Sequence, residues 1–458
     1  MKRSAAAILL TSGDGAVPEV FLVERAPELR FFGGYHALPG GVRGPEDGPD
    51  EPGSADLEPL RRCALRELAE ETGIVLPSAQ ALTEICRIET PPFAPVRYDT
   101  VFFAAGLPGG QTPRVETGEL SGGRFWQPET ALAAWRRGEV LIVPPVLILL
   151  ELLLRHGRQG FPSAAQAIAA DYRTGRLHRV RFAPGIVMAS VLSPTLPPAT
   201  TTNCYLVGEE KLYIVDPGSP EEPENLRLIA LIDELVAEGR ELAGILLTHH
   251  HPDHIGGVNR LSTHYDLPVR GHRLTLGRLP RGFRAGAEIA DQERITLGRA
   301  PDGQADWALI AVHTPGHDRG HLCFRDTRYA SVLAGDMLST ISTIVIDPPE
   351  GHLRTYLESL ERLLAEPMGT LHPAHGPAAR DGHRLVRQYL RHRQQRESGL
   401  LAALTEMPAT AEQLVPKVYW DADPKLFPIA LRSLLAGLEK LREDGRACEE
   451  RGIWRRVG

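Results

Sequence analysis

At 458 residues the chain is too long for one ordinary domain, and two or three are expected. Its net charge of −7 argues against nucleic-acid binding by the chain as a whole, and its apolar content of 42% allows sizeable cores. Five scattered cysteines (Cys63, Cys86, Cys204, Cys323, Cys448) form no Cys-x-x-Cys pair, which argues against a disulfide framework or a cysteine zinc site and predicts a reducing, cytoplasmic compartment.

The chain opens on Met1-Lys2-Arg3 and a short apolar run, faintly like a signal peptide. Thr11 to Gly15 read as a turn, so a first β-hairpin is expected instead, pairing strands at 5–10 and 20–23. Leu38-Pro39-Gly40-Gly41 reads as a loop, and a helix is expected over 59–72, stopped by Gly73. Glu67, Glu70 and Glu71 then stand on one helical face. Three unpaired carboxylates repel one another, and a hard divalent cation, magnesium or manganese, would relieve that repulsion.

From Glu58 onward these residues resemble the Nudix box: seven residues, then Arg66-Glu67-Leu68-Ala69-Glu70-Glu71-Thr72-Gly73-Ile74. The departure lies before it. Gly41 and Glu58 stand 17 positions apart where the box has six, an insertion of about 11 residues that reads as a flexible surface loop. The resemblance implies a Nudix αβα sandwich with Glu67, Glu70 and Glu71 as metal ligands, one of them a base toward water. Upstream, Arg25, Ala26, Arg30, Gly34 and Pro39-Gly40-Gly41 fall in register with the extra signature of the coenzyme A diphosphatases, with Val23 and Leu38 as departures. Arg25 and Arg30 are the phosphate contacts so implied. Another nucleoside diphosphate-linked compound is the other reading.

The apolar stretch 140–154 contains Pro144, Pro145 and Glu151 and is too short to span a bilayer. It is expected to be a strand end and a packed helix with Pro145 in the first turn. Helix, turn and helix are expected up to about residue 181, with Gly157 near the turn. The domain limits that follow are 1–157, a linker over 158–181, 182–380 and 381–458.

In the second domain a strand is expected over 201–207, and helices over 226–238 and 353–364. The apolar run Ile245-Leu246-Leu247 reads as a strand that ends on Thr248-His249-His250-His251-Pro252-Asp253-His254. Further strand-to-loop junctions carry His317, Asp336 and His375. Imidazole and carboxylate are ligands that zinc accepts. In order and type these motifs resemble the metallo-β-lactamase superfamily, an αββα sandwich. The resemblance implies that His249, His251 and His317 hold one metal, and Asp253, His254 and His375 the other. Asp336 would bridge them, and Asp253 would also serve catalysis. Zinc is expected in both positions, or iron in one, since the same ligands accept both. Asp216 matches an early structural aspartate, whereas His250 points away; His313 and His321 are expected behind the ligands or in the core, and His264, His272 and His352 to be incidental.

After residue 380 a helix over 381–396, a capping box at Thr410 and Gln413, a helix from Asp423-Pro424 and a ribbon over 446–457 suggest a small winged-helix module. Residues 376–458 carry 15 Lys/Arg and 11 Asp/Glu, a local excess of positive charge. A lactamase core with this tail looks like the beta-lactamase-like protein 2 group, which includes a single-strand endoribonuclease. Thioester hydrolases of the glyoxalase II branch share the core motifs.

The expectation is a bifunctional metal-dependent hydrolase. Its Nudix head would cleave a diphosphate-linked compound, and its lactamase head a thioester or ester by water activated at two zinc ions. The alternatives are an RNA-processing enzyme whose lactamase head is an endoribonuclease, and a chain in which one head only binds or regulates. Substrates are phosphorylated or thioester small molecules, with RNA as the rival. No membrane partner is expected, and the oligomeric state is open.

Overall fold

The computed structural model describes residues 2–29, 32–49, 56–115 and 118–457. The chain forms two compact units. One comprises residues 1–190, 226–239 and 299–305; the other comprises 191–225, 240–298 and 306–458. No helix among the described residues is long and apolar enough to cross a membrane.

The first unit is built on an eight-stranded mixed sheet. Lys2–Ser12 lies at its centre, parallel to Arg97–Gly106 and antiparallel to Glu19–Arg25, so the expected opening hairpin forms. The helix Glu58–Thr72 covers one face of the sheet, capped by Gly73 in a left-handed conformation (φ 70°). Leu60, Cys63, Ala64 and Leu68 recur at helical spacing and pack against Ile8, Leu10, Val101 and Phe103. Each leucine so buried stabilises the helix by roughly 1.5–3 kcal/mol. The same periodicity turns Glu67 and Glu71 toward the strand Gly40–Val42, which pairs with Lys2–Ser12.

The long helix Pro144–Arg173 starts on its prolines and breaks at Gly157, whose φ of 61° and ψ of 177° are not helical. This is the expected helix–turn–helix. Leu147, Leu149, Leu150 and Leu153 are fully buried in its first half, which is therefore a core helix.

In the second unit the strands Arg284–Ala285, Pro268–Arg270, Glu241–Leu246, Lys211–Val215 and Thr201–Val207 pair in that order. A separate five-stranded sheet runs Arg294–Gly298, Trp307–His313, Leu322–Asp326, Val332–Gly335 and Leu371–Pro373. Helices Leu353–Ala365 and Gly382–Glu406 share one apolar core with the second sheet, through Tyr356, Leu360, Val386 and Tyr389 against Val312 and Val332. Gly382–Glu406 continues ten residues beyond the expected 396. Leu400, Leu401, Ala403 and Leu404 extend its apolar face into the core of the C-terminal module. That module is completed by Ala411–Val418, Phe427–Glu443 and the ribbon Ala447–Glu450 with Ile453–Arg456. The capping box at Thr410 forms as expected.

Candidate metal centres

Glu241–Leu246 pairs with Lys211–Val215 on one side and, through Ile245 and Leu246, with Pro268–Arg270 on the other, and the chain leaves it at Leu247 into the histidine cluster. His251 precedes the short helix Pro252–Ile255, which carries Asp253 and His254. His317 lies in the turn between Trp307–His313 and Leu322–Asp326; Asp336 follows Val332–Gly335, and His375 follows Leu371–Pro373. All seven sequence-predicted positions converge. Ligand atoms of His249, His251, His317 and Asp336 lie within 4.8 Å of one another, as do those of Asp253, His254 and His375. His251 Nδ1 stands 3.0 Å from His249 Nε2 and 3.0 Å from His317 Nε2. Asp336 lies between the two groups. Its Oδ2 is 3.5 Å from His317 Nε2, and its Oδ1 is 3.4 Å from His254 Nε2 and 3.3 Å from His375 Nε2.

The outward nitrogens decide what the inward ones offer. His249 Nδ1 is 3.0 Å from Thr248 Oγ1, His254 Nδ1 2.9 Å from Asp216 Oδ2, His317 Nδ1 2.9 Å from Val345 O, and His375 Nδ1 3.0 Å from Thr201 O. With Nδ1–H donated outward, each Nε2 faces the cluster, the arrangement that metal-ligating histidines adopt. Thr248 Oγ1 and backbone N–H both donate to Asp216, leaving that hydroxyl to accept from His249. Asp216 thus sits where its early motif placed it, buried and with a φ of 52°.

Charge points the same way. Burial, with His254 and His251 alongside, holds His249 well below its ordinary pKa, and burial with His317 brings His251 to about 4. Burial opposes charge on His254 and His375 too. Yet Asp336 and Asp253 hold His254 well above its usual range and His375 at about 10. The carboxylates therefore draw positive charge into this point, and a divalent cation supplies it as a proton does. His254 Nε2 and Asp336 Oδ1 are buried with no hydrogen-bond partner, as atoms reserved for a cation would be.

His250 turns away, as expected, and stands 2.6 Å from Asp318 Oδ2. Sequence reasoning missed Asp318. Burial works against its charge, but His250 holds it well below the usual carboxylate range. His250, His251 and Asp318 form a third group able to hold a metal. His321 stands behind the ligands, where its Nε2 accepts from the Asp336 backbone N–H at 3.1 Å. His352, expected to be incidental, caps Leu353–Ala365 and pairs with Glu443 at 2.8 Å.

In the first unit the helix places Glu67, Glu70 and Glu71 on one face, but they are not unpaired. Arg66 Nη1 donates to Glu67 Oε1 (2.9 Å) and Glu70 Oε2 (3.0 Å), and its other nitrogens reach Asp47 (3.0 and 2.8 Å). The flexible-loop expectation is corrected for the start of the insertion. Pro45–Asp47 is a helical turn, and Asp47 is buried because Arg66 and the Gly44 N–H (2.8 Å) hold it. Nothing in a Gly- and Pro-rich stretch signals such a contact. Glu71 accepts from the Gly40 N–H at 2.9 Å, and burial raises it to about 7. Burial raises Glu67 as well. Arg25, at the end of Glu19–Arg25, lies close enough to Glu71 to lower its pKa in part. Arg30 lies outside the described residues. The three glutamates are not among the groups whose ligand atoms converge. Magnesium keeps several of its own waters, so its carboxylates need not touch.

Three family models match: the NUDIX domain over residues 1–142, the Metallo-beta-lactamase superfamily over 197–375 and the Beta-lactamase associated winged helix domain over 410–454. The chain carries a Nudix domain, a metallo-β-lactamase domain and its winged helix. It is a hydrolase, and its second part is similar to proteins named beta-lactamase-like protein 2 homolog. The Beta-lactamase-like protein 2 homolog of Drosophila melanogaster is 26% identical over 58% of this chain and 90% of its own length. The Atrochrysone carboxyl ACP thioesterase of Passalora fulva is 28% identical over 54% of this chain and 72% of its own. A Beta-lactamase domain protein from Burkholderia ambifaria shares the fold, with a TM-score of 0.50 and 22% identity over 60% of this chain and 93% of its own. The Nudix and lactamase families use divalent metals, and the His/Asp clusters of the lactamase domain are suited to hold them.

Proposed function

We propose that the chain is a two-headed hydrolase. The Nudix head splits a diphosphate-linked compound, coenzyme A or a nucleoside diphosphate derivative, and the lactamase head hydrolyses a thioester or ester. Asp336 Oδ1 and His254 Nε2, buried and without hydrogen bonds inside a ring of imidazole nitrogens, carry this reading. His249, His251 and His317 would hold one cation, Asp253, His254 and His375 the other, and Asp336 both. Glu67, Glu70 and Glu71 would hold magnesium or manganese. Zinc is the expected metal of the lactamase head, with iron as the rival in one position. Divalent cations in such sites lower the pKa of water toward neutrality and polarise a carbonyl or phosphoryl group.

The chain's own part is orientation and proton traffic. Thr248, Asp216, Thr201 and Val345 fix the imidazole tautomers. Asp253, whose Oδ2 is 3.4 Å from His375 Nε2, would take a proton from the attacking water and return it to the leaving sulfur or oxygen. In the Nudix head Arg66 steadies Glu67 and Glu70, and Arg25 steadies substrate phosphate. The thioesterase among the relatives supports a thioester, and a coenzyme A thioester would offer both heads a bond to cut.

Coenzyme A, acetyl-coenzyme A and a short single-stranded RNA, incubated with the full chain and followed by mass spectrometry, test this. Glu70→Gln should abolish only diphosphate cleavage, and Asp253→Ala only thioester loss. RNA cut in an Asp253-dependent way, with acetyl-coenzyme A untouched, would replace the thioester reading by an endoribonuclease served by the winged helix. A head that binds metal but turns nothing over would be a binding module.

A further inference from the structure

The first unit contains a cavity of about 270 Å³ whose lining includes no residue of either metal centre. Five arginines line it, Arg87, Arg97, Arg173, Arg176 and Arg227, with Glu89 in the wall paired to Arg97 at 2.5 Å and further carboxylates behind. Several are held in place. Asp99 grips Arg87 through two hydrogen bonds of 2.8 and 2.9 Å, and the Thr90 carbonyl accepts from Arg97 Nε at 2.8 Å. Asp171 and Glu234 take the two terminal nitrogens of Arg176 at 2.8 and 2.7 Å. The Nε–H of Arg176 is left buried without a partner. So is the hydroxyl of Ser190, which lines the same cavity. Two unmet polar groups beside fixed guanidinium groups are costly in a chain that has no use for them. His178, stacked on Tyr172 at 3.8 Å, completes the wall; burial lowers it to about 4, so it adds no charge at neutral pH.

We propose that this cavity binds the phosphoryl group of a small phosphorylated molecule, at a site separate from both metal centres. Planar, permanently charged guanidinium groups suit phosphoryl oxygens, and the unmet Arg176 Nε–H and Ser190 hydroxyl belong to residues of the same wall. Ligand cavities commonly measure roughly 300–1,000 Å³, so this one takes a phosphate or a compact phosphate ester and no whole dinucleotide. The ligand is inorganic phosphate, such as a diphosphate hydrolase generates indirectly, or the phosphate end of an ester.

Calorimetric titration of the full chain without added divalent metal, using inorganic phosphate and separately adenosine 5′-monophosphate, tests the site. Saturable phosphate binding is expected in wild type, Glu71→Gln and Asp253→Ala alike. Arg173→Glu, at an exposed position on the rim, and Ser190→Ala should each weaken it by about tenfold or more, with unchanged far-ultraviolet circular dichroism. Tighter binding of the monophosphate than of phosphate would identify an ester as the ligand; equal binding would identify free phosphate. Absence of saturable binding, binding unchanged in both cavity variants, or binding lost in Asp253→Ala would overturn the proposal.

Discussion

Asp216 never faces the metal centre, yet much rests on it. It accepts from the Thr248 N–H, the Thr248 hydroxyl and His254 Nδ1. Asp216→Ala frees the His254 ring and leaves Thr248 without its acceptor, so metal affinity should fall by about 10–100-fold. Zinc titration against a chelating dye measures it, and wild-type affinity would refute the assigned role. Glu71 gives a pH prediction. Burial raises its pKa to about 7, so the free site holds a proton there below that pH and loses it above. A cation binds only the carboxylate form, so magnesium affinity of the Nudix head should rise as pH passes from 6 to 8 and level off beyond. Glu71→Gln should flatten that dependence. At this scale the sequence brought out which His and Asp positions converge, because ligand chemistry restricts residue type. Asp47 and Asp318 were hidden, since each is defined by a partner distant in sequence, Arg66 or His250, and no spacing rule joins them.

At the scale of elements, the Nudix helix and the strand before it depend on close approach. A Cβ at Gly41 would run into the Glu67 carboxylate. Gly41→Ala should therefore raise the magnesium concentration needed for half activity severalfold while the fold survives, since the helix keeps Leu60, Ala64 and Leu68 buried. Unchanged magnesium dependence would show that Glu67 moves aside without cost. Helical periodicity made this helix and its acidic face legible beforehand. The turn Pro45–Asp47 was not, because three residues carry no period, and Gly and Pro signal loops whatever those loops later touch. Gly157 was legible for the opposite reason: a glycine between two apolar helical stretches marks the place where a left-handed conformation is tolerated.

For the molecule as a whole, the C-terminal helix Gly382–Glu406 is part of the lactamase head. Tyr389 OH accepts from the Ser339 N–H at 2.8 Å and lies 2.8 and 2.7 Å from the carbonyls of Ser339 and Ser342. Arg393 donates to the Ile344 carbonyl, next to the Val345 carbonyl that orients His317. Tyr389→Phe should thus lower metal affinity and turnover of the lactamase head severalfold and leave the Nudix head as it was. Loss of both activities together would indicate general unfolding instead. Removing residues 381–458 should abolish the lactamase activity altogether, even on a small thioester that never meets a winged helix. Domain order was readable from motifs; this dependence was not, because sequence periodicity shows that a helix has an apolar face and leaves open what that face and its polar rim grip.

The spacing of the ligands along the chain also sets a timetable. The acidic helix ends at Thr72, whereas the last histidine of the second centre is His375 and the tyrosine bracing its loop is Tyr389. A ribosome adding about 5–20 residues per second needs ~15–60 s to travel between these points. For the last part of that interval, the ~6–24 s between synthesis of His254 and of His375, the nascent chain exposes His249, His251 and His254 beside Asp253, a partial claw for any passing cation. If these residues hold a metal as proposed, they meet it before His317, Asp336 and His375 have been made. Ribosome-bound chains arrested near residue 300 should therefore pick up copper or nickel more readily than the finished protein, and equal uptake by both would show that the claw is closed until synthesis ends.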